Sequence, residues 1–317
     1  MKTRSEAYEA FRRMGLPDRN DEAWKYTSLR GLNEASFSFP DRAVFAPESD
    51  AALKKILSEV KKLLGSELSP AHTHLIFING FFLEPASLPP GLSAGKGEPA
   101  FPSLPLGSLD LLNRSFSEPV FFRLGKDVVL DKPVHFIFIS GNVAGLSAGP
   151  LMAFPRLSFH LENGSRVRVL ESHVRLNEGG ASTFSDSHSA YTLSEGSWLQ
   201  FHQVQGSVNA DSVSGGAGRS LRSLLAHASG MAVSHPSFDL GANSKLDAFL
   251  ATVGAAMERA NIRVRLGAEG AEAKLSGIYL LEESRHTDFH LDIHHALPNT
   301  TSQKTFKGIL DGQSRAV

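Results

Sequence analysis

The chain has 317 residues, with 32 Lys and Arg against 33 Asp and Glu, a formal net charge of -1, 41% apolar residues and no cysteine. This material suffices for one large or two ordinary domains with a real core. The near-zero charge gives no support to generic nucleic-acid binding. The lack of cysteine excludes a disulfide scaffold, a thiol nucleophile and any metal or cluster site built from the chain's own thiolates.

The first residues are charged and have helical spacing, unlike a secretory signal. No stretch approaches the roughly 18–20 apolar residues that a membrane span requires. We therefore expect a cytoplasmic protein without membrane contact.

The first 65 residues or so are predicted to be helical. Apolar side chains recur every three or four positions in two runs, Tyr8–Met14 and Leu53–Leu64. From His74 the pattern changes, because Asn79-Gly80 between two short apolar runs is typical of a β-hairpin. Residues 85–107 are rich in Pro, Gly and Ser and are predicted to be irregular surface chain. We expect an N-terminal region, residues 1–117, and a β-rich region, residues 118–317.

The β-rich region has five clear strand predictions, at Val120–Leu124, Val134–Ile139, Arg156–Leu161, Arg166–Glu171 and Trp198–Val204. A turn-like string recurs at Asn163-Gly164-Ser165 and Glu195-Gly196-Ser197, and more weakly at Gly241–Ser244 and Gly267–Gly270. Uneven intervals between repeats favour a solenoid with loops of different lengths over a propeller. On periodicity alone, a stacked-coil β-helix and a Greek-key sandwich have similar weight.

One segment near the C-terminus alternates strictly between polar and apolar residues. His286, Asp288, His290, Asp292 and His294 fall on one face of a predicted strand, and Thr287, Phe289, Leu291 and Ile293 fall on the other. A neighbouring His and Asp could share a Zn, Fe or Mn ion. The alternative is an ordinary polar face, since one strand supplies no third or fourth ligand.

Two strings, Gly91–Gly95 and Gly145–Gly149, match the G-x-S-x-G nucleophile motif. Both lack the strand-turn-helix context that the motif requires, so both are interpreted as loops. Gly91–Gly97 does not match a P-loop. The remaining histidines, including His135, His160, His173, His188 and His202, are interpreted as scattered, without chelating clusters. Neither catalytic, cofactor-binding nor metal-binding residues are assigned from these patterns.

Longer strings resemble a known family. Gly15-Leu16-Pro17 followed by Trp24-Lys25-Tyr26-Thr27 is similar to the opening signature of the SufD branch of the SufB/SufD family of iron–sulfur cluster assembly factors. Three later strings also resemble family motifs: Leu75–Gly80, Val128–His135 and Lys307–Val317 with the preceding Asn299–Gln303. The four matches occur in order and cover essentially the whole chain.

The resemblance implies a right-handed parallel β-helix preceded by a small helical region. It implies a non-catalytic subunit of a SufB–SufC–SufD scaffold, in which a SufC-like ABC ATPase drives changes at the interface with a SufB-like subunit. In such a complex this chain alone would hold no cofactor, and an Fe–S cluster or iron would lie at the interface with the SufB-like partner.

Family members continue beyond the last string, to a His-containing motif proposed as a cluster ligand and to a helical segment that binds SufC. The printed sequence ends at Val317, so the resemblance implies a chain shortened within its β-helix. An unpaired last coil would favour a homodimer or aggregation at that edge. The alternative function is a carbohydrate-active β-helix enzyme, a lyase or hydrolase, favoured only by the His286–Asp292 strand.

Overall fold

The computed structural model describes residues 4–29, 32, 58, 68–97, 107–141, 151–177, 183–209, 230–253 and 255–317. Within these ranges, two α-helices and a short 3-10 helix accompany seventeen strands. The helices are α1 (Arg4–Met14), the 3-10 helix Glu22–Trp24 and α2 (Ser108–Phe116). The strands are β1 (Thr73–Ile78), β2 (Phe81–Leu83), β3 (Leu92–Lys96), β4 (Val120–Leu124), β5 (Val134–Ser140), β6 (Leu151–Ala153), β7 (Arg156–Leu161), β8 (Arg166–Asn177), β9 (Thr183–Leu193), β10 (Trp198–Asn209), β11 (Met231–Leu240), β12 (Lys245–Thr252), β13 (Met257–Leu266), β14 (Glu272–Leu281), β15 (His286–His295), β16 (Thr301–Leu310) and β17 (Arg315–Ala316).

The strands form two sheets. Sheet 1 has the order β16-β14-β12-β10-β8-β5-β1-β2, and sheet 2 has the order β17-β15-β13-β11-β9-β7-β4-β3, with β6 beside β9. From β8 onward the chain alternates between the sheets. From β9 onward each strand pairs in parallel with the strand two positions earlier. This arrangement is typical of stacked coils. The protein is mainly β with a β-helix-like fold; its right-handed sense stays a prediction.

Two apolar clusters hold the fold together. The first fills the space between the sheets, with inward-facing side chains such as Phe136, Phe159, Phe201 and Leu266. The second lies on the outer face of sheet 2, which is the face turned away from sheet 1, and joins α1 and α2 to that sheet. The helices therefore cover one end of the outer face of sheet 2.

The strand predictions are confirmed by β4, β5, β7, β8 and β10, and the hairpin by the antiparallel pair β1 and β2. The first predicted helix corresponds to α1. The second, Leu53–Leu64, lies outside the described residues apart from Ser58. No helix in the described part of the chain is long and apolar enough to cross a membrane.

The prediction of irregular chain over residues 85–107 was wrong in part. β3 occupies Leu92–Lys96 and pairs antiparallel with β4, so Gly91–Gly95 belongs mostly to a strand. Glycine made this strand resemble a loop, but Gly95 is required because a Cβ there would overlap the Phe121 ring. The second G-x-S-x-G string, Gly145–Gly149, lies outside the described residues. Because β1 pairs with β5 and β3 with β4, both sheets extend across residue 118, and the proposed boundary there stays a prediction.

The recurring turn-like string forms one corner of the β-helix-like fold. Backbone N–H groups of Gly164, Gly196, Asn243 and Gly270 each donate to a carbonyl of the next coil, at 2.9–3.0 Å. All four residues have positive φ, between 53° and 74°. Gly and Asn tolerate this left-handed conformation better than other residues. The repeat in the sequence therefore marks the stacked corner between sheet 2 and sheet 1.

Replacing Gly196 with alanine should destabilise the fold by about 1 kcal/mol, because φ is 68° and an L side chain is strained there. Nothing lies within 4 Å of the added Cβ, so backbone strain is isolated from crowding. Gly196→Asn should cost clearly less, since Asn243 occupies the equivalent position of the next coil with φ 53°. Urea unfolding measures both changes; equal losses would contradict the assignment to strain.

β16 and β17 are the last strands of the two sheets. Ile309 and Leu310 on β16 are 64% and 48% exposed. An apolar strand at a sheet edge favours pairing with another chain. Self-association through this edge stays a prediction.

Candidate functional site

The N-terminal segment contacts the polar face of β15, the strand with the alternating pattern. β15 spans His286–His295, and its apolar side chains Phe289, Leu291 and Ile293 pack on the inner core, which confirms the predicted alternation. On the outer face, the Thr27 hydroxyl donates to the buried Asp288 carboxylate and lies 3.1 Å from His286 Nε2. Thus β15 contacts the Trp24-Lys25-Tyr26-Thr27 string.

An ion pair and an aromatic ring complete this contact. Arg259 on β13 donates to Asp288, and their side chains are only 2% and 3% exposed. The Arg259 guanidinium lies 4.2 Å from the Trp24 ring centroid, in cation–π geometry. Burial lowers the pKa of Arg259, and Asp288 opposes that shift. Asp288 is therefore engaged by Arg259 and Thr27, which weakens the interpretation of this strand as a metal site.

A cavity of about 570 Å³ lies between the N-terminal segment, the start of α2 and the outer face of sheet 2. Its charged and imidazole lining comes from three parts of the chain: Asp21 and Glu22, then Asp110 and Arg114, then Arg156, His188, His235, Arg259, Arg263 and His290 on the sheet. The cavity therefore offers both anionic and cationic groups to a small ligand.

A group of three potential ligands lies at the floor of this cavity. Asp186 and His188 point to the same face of β9, and His235 on β11 is the direct cross-strand neighbour of His188. One nitrogen or oxygen from each lies within 4.8 Å of the others. The two imidazoles stack, with ring centroids 4.0 Å apart and planes at 12°.

The electrostatics of the group follow from its burial. Burial alone would raise the pKa of Asp186, but His188 and His235 outweigh it and lower that pKa. Burial, together with neighbouring His235, lowers the pKa of His188 to about 4. These shifts favour an ionised Asp186 carboxylate beside a neutral His188 imidazole near pH 7. Neutral imidazole and carboxylate are ligands for first-row transition metals.

The interpretation of His188 as a scattered histidine was wrong. Asp186 and His188 are two positions apart on one strand, which was a local signal for a shared face. His235 is 47 positions later in sequence, and only the register of β9 with β11 brings it beside His188. The sequence patterns gave no register for these strands.

The surrounding residues fix this group in place. Asp110 Oδ1 lies 3.5 Å from His188 Nδ1 and 3.0 Å from Arg156 Nη2. Burial raises the pKa of Asp110, but His188, Arg156 and Arg114 together lower it to about 2. Asn113 on α2 donates to the Asp186 carbonyl at 2.7 Å and accepts from Arg156 at 3.0 Å. Helix α2 is thereby attached to β7 and β9.

Inside the solenoid a separate polar network is well partnered. Buried Glu171 accepts hydrogen bonds from Tyr191 at 2.6 Å and from Gln203 at 2.9 Å, and lies 3.2 Å from His173. Arg175 and Glu258 form a second buried ion pair at 2.6 Å. Satisfied buried polar networks rigidify a core. We interpret these residues as structural.

Another group of histidines lies where β1 and β5 meet. The rings of His72, His74 and His135 have centroid separations of 5.2–5.9 Å. Their three Nδ1 atoms are buried and make no hydrogen bond to a described residue. Burial, with the nearby His74 and His72, lowers the pKa of His135 to about 3. Among the described residues, only Asp186, His188 and His235 place three potential ligand atoms within 4.8 Å of one another, so these rings do not form such a group.

Comparison with known proteins identifies the family. The model of the "SUF system FeS cluster assembly, SufBD core domain" matches residues 143–317, which is more than half of the chain. An iron–sulfur cluster assembly SufBD family protein of Mycobacterium leprae (strain TN) is 32% identical over 73 residues, or 23% of this chain. The match spans 19% of that relative's length. The chain belongs to the SufBD core family, which supports involvement in iron–sulfur cluster assembly and agrees with the resemblance in its motifs.

Proposed function

We propose that the protein is a non-catalytic subunit of a SufB–SufC–SufD-type scaffold. The match of the SufBD core over residues 143–317 carries this proposal, because it covers the coiled region from β6 to β17. In this role the chain binds a SufB-like subunit, and a SufC-like ATPase supplies nucleotide hydrolysis. An iron–sulfur cluster or iron is the cargo, assembled at the interface with the SufB-like subunit in the cytoplasm.

The composition supports a division of labour among subunits. With no cysteine, the chain supplies no thiolate to a cluster. In this proposal any sulfur ligand comes from outside the printed residues, which fits an assembly site at an interface. The rival function, a carbohydrate-active β-helix enzyme, loses its main support because Asp288 is engaged by Arg259 and Thr27.

Co-purification tests the scaffold role. The tagged chain is co-expressed with the SufB-like and SufC-like proteins of the same source. We expect it to capture the SufB-like protein. Untagged chain should compete for the same partner, which controls for nonspecific capture. If the tagged chain captures neither protein, the scaffold proposal fails.

A further inference from the structure

The carboxylate of Asp186 is buried on the outer face of sheet 2 without a hydrogen bond from the described residues. The residue has 0% exposure, and neither carboxylate oxygen accepts a hydrogen bond from a described residue. Nε2 of His188 and Nε2 of His235 are equally without a hydrogen bond from the described chain. Burying such groups uncompensated costs free energy. Three side chains therefore direct polar atoms without a described hydrogen-bond partner toward one small volume.

The separations of these atoms match a coordination sphere. Asp186 Oδ1 lies 3.4 Å from His188 Nε2 and 3.1 Å from His235 Nε2. With metal–ligand bonds of about 2.0–2.1 Å, two ligand atoms in a tetrahedral site are about 3.3–3.4 Å apart. An ion between the three atoms would satisfy all of them at once. The two rings, now stacked nearly parallel, must tilt relative to each other for both Nε2 lone pairs to point at the ion.

We propose that Asp186, His188 and His235 bind one divalent first-row transition ion, of the Fe(II) or Zn(II) type. Two imidazoles and a carboxylate are the donor set that such ions take when positions remain open for water or a further ligand. His188 and His235 line the cavity, so the ion has a path from solvent and its open positions face that cavity. The site stands independently of the scaffold proposal, because it uses only this chain's residues.

Neighbouring groups orient the two imidazoles. Metal-bound histidines usually donate the other ring N–H to a carboxylate or carbonyl, and Asp110 lies on the Nδ1 side of His188. Asn261 Nδ2 lies 3.4 Å from His235 Nδ1. A flip of that amide would let its oxygen accept the Nδ1 proton, at the cost of the bond from Arg259 Nε. Asp110 is thus the stronger positioning residue.

Metal titration of the purified full chain tests the site. After chelator treatment and its removal, Co(II) and Zn(II) are added alone, and Fe(II) is added without oxygen. We expect one equivalent of bound ion, visible for Co(II) as a d–d spectrum with nitrogen and oxygen ligands, and a rise in thermal unfolding midpoint. His188→Gln and His235→Gln should each weaken binding on the order of 100-fold, and Asp110→Asn about 10-fold.

The control is His290→Gln, which changes another histidine of the same cavity outside the group and should keep one equivalent. Circular dichroism and the metal-free unfolding midpoint show whether each variant is folded. Asp186→Asn keeps the shape of the carboxylate, so a folded variant without binding supports the site. The proposal is overturned if the wild type binds less than half an equivalent, if folded ligand variants bind like the wild type, or if His290→Gln weakens binding equally. Each of these variants should still capture the SufB-like protein. Failure of the metal site and failure of the scaffold proposal are therefore distinguishable.

Discussion

Replacing Asp288 with asparagine should destabilise the protein by about 3–5 kcal/mol at neutral pH, because Arg259 would remain buried without its counter-charge. Asparagine keeps the shape and still accepts hydrogen bonds, so the change isolates the loss of charge. Denaturant unfolding measures the loss. Fluorescence of Trp24, whose ring lies over Arg259, should report movement of the N-terminal segment away from sheet 2.

The matched control is Asp292→Asn, four residues further along the same face of β15. Asp292 is exposed, so its replacement should change stability by no more than about 0.5 kcal/mol. A double variant, Arg259→Met with Asp288→Asn, removes both charges and should recover part of the loss. If Asp288→Asn and Asp292→Asn have equal effects, the buried ion pair does not attach the N-terminal segment.

These two aspartates show how far sequence patterns reach. Strict alternation placed Asp288 and Asp292 on the same face of one strand, and the structure agrees. Alternation has no information about what covers that face. Thr27 and Arg259 distinguish the two positions, and they come from 261 and 29 residues away. Partner identity depends on strand order and register, which are long-range properties.

In the rest of the fold, too, local features were predictable and long-range contacts were not. The stacked corner was predictable, because Gly164 and Gly196 occupy positive φ and recur with a recognisable neighbour. Helix α2 was missed, since its nine residues follow a stretch rich in Pro and Gly and it is attached mainly by tertiary contacts such as Asn113 with β9. The Asp186 group required the pairing of β9 with β11. Local rules thus predicted the elements, and the candidate site arose from their stacking.

Stability should fall as the pH is lowered from 7 to 5, and His135 should account for about 2 kcal/mol of that loss. Burial lowers the pKa of His135 to about 3 in the folded protein, against about 6.5 for an unperturbed histidine. Below pH 6.5 His135 is therefore protonated in the unfolded chain but stays neutral in the folded protein. The contribution of His135 is complete above pH 6.5 and is lost progressively toward pH 3.

His135→Gln tests this linkage, because glutamine retains a polar group that can reach Ser172 Oγ, the present partner of His135 Nε2 at 2.8 Å. We expect the difference in unfolding free energy between pH 7 and pH 5 to shrink by about 2 kcal/mol in this variant. Comparing its unfolding free energy at pH 7 with that of the wild type separates lost packing from lost proton linkage. His202→Gln is the control, since it makes the same replacement at an exposed position of β10. If His135→Gln and His202→Gln keep the same pH dependence as the wild type, His135 is not the buried neutral group whose protonation opposes folding.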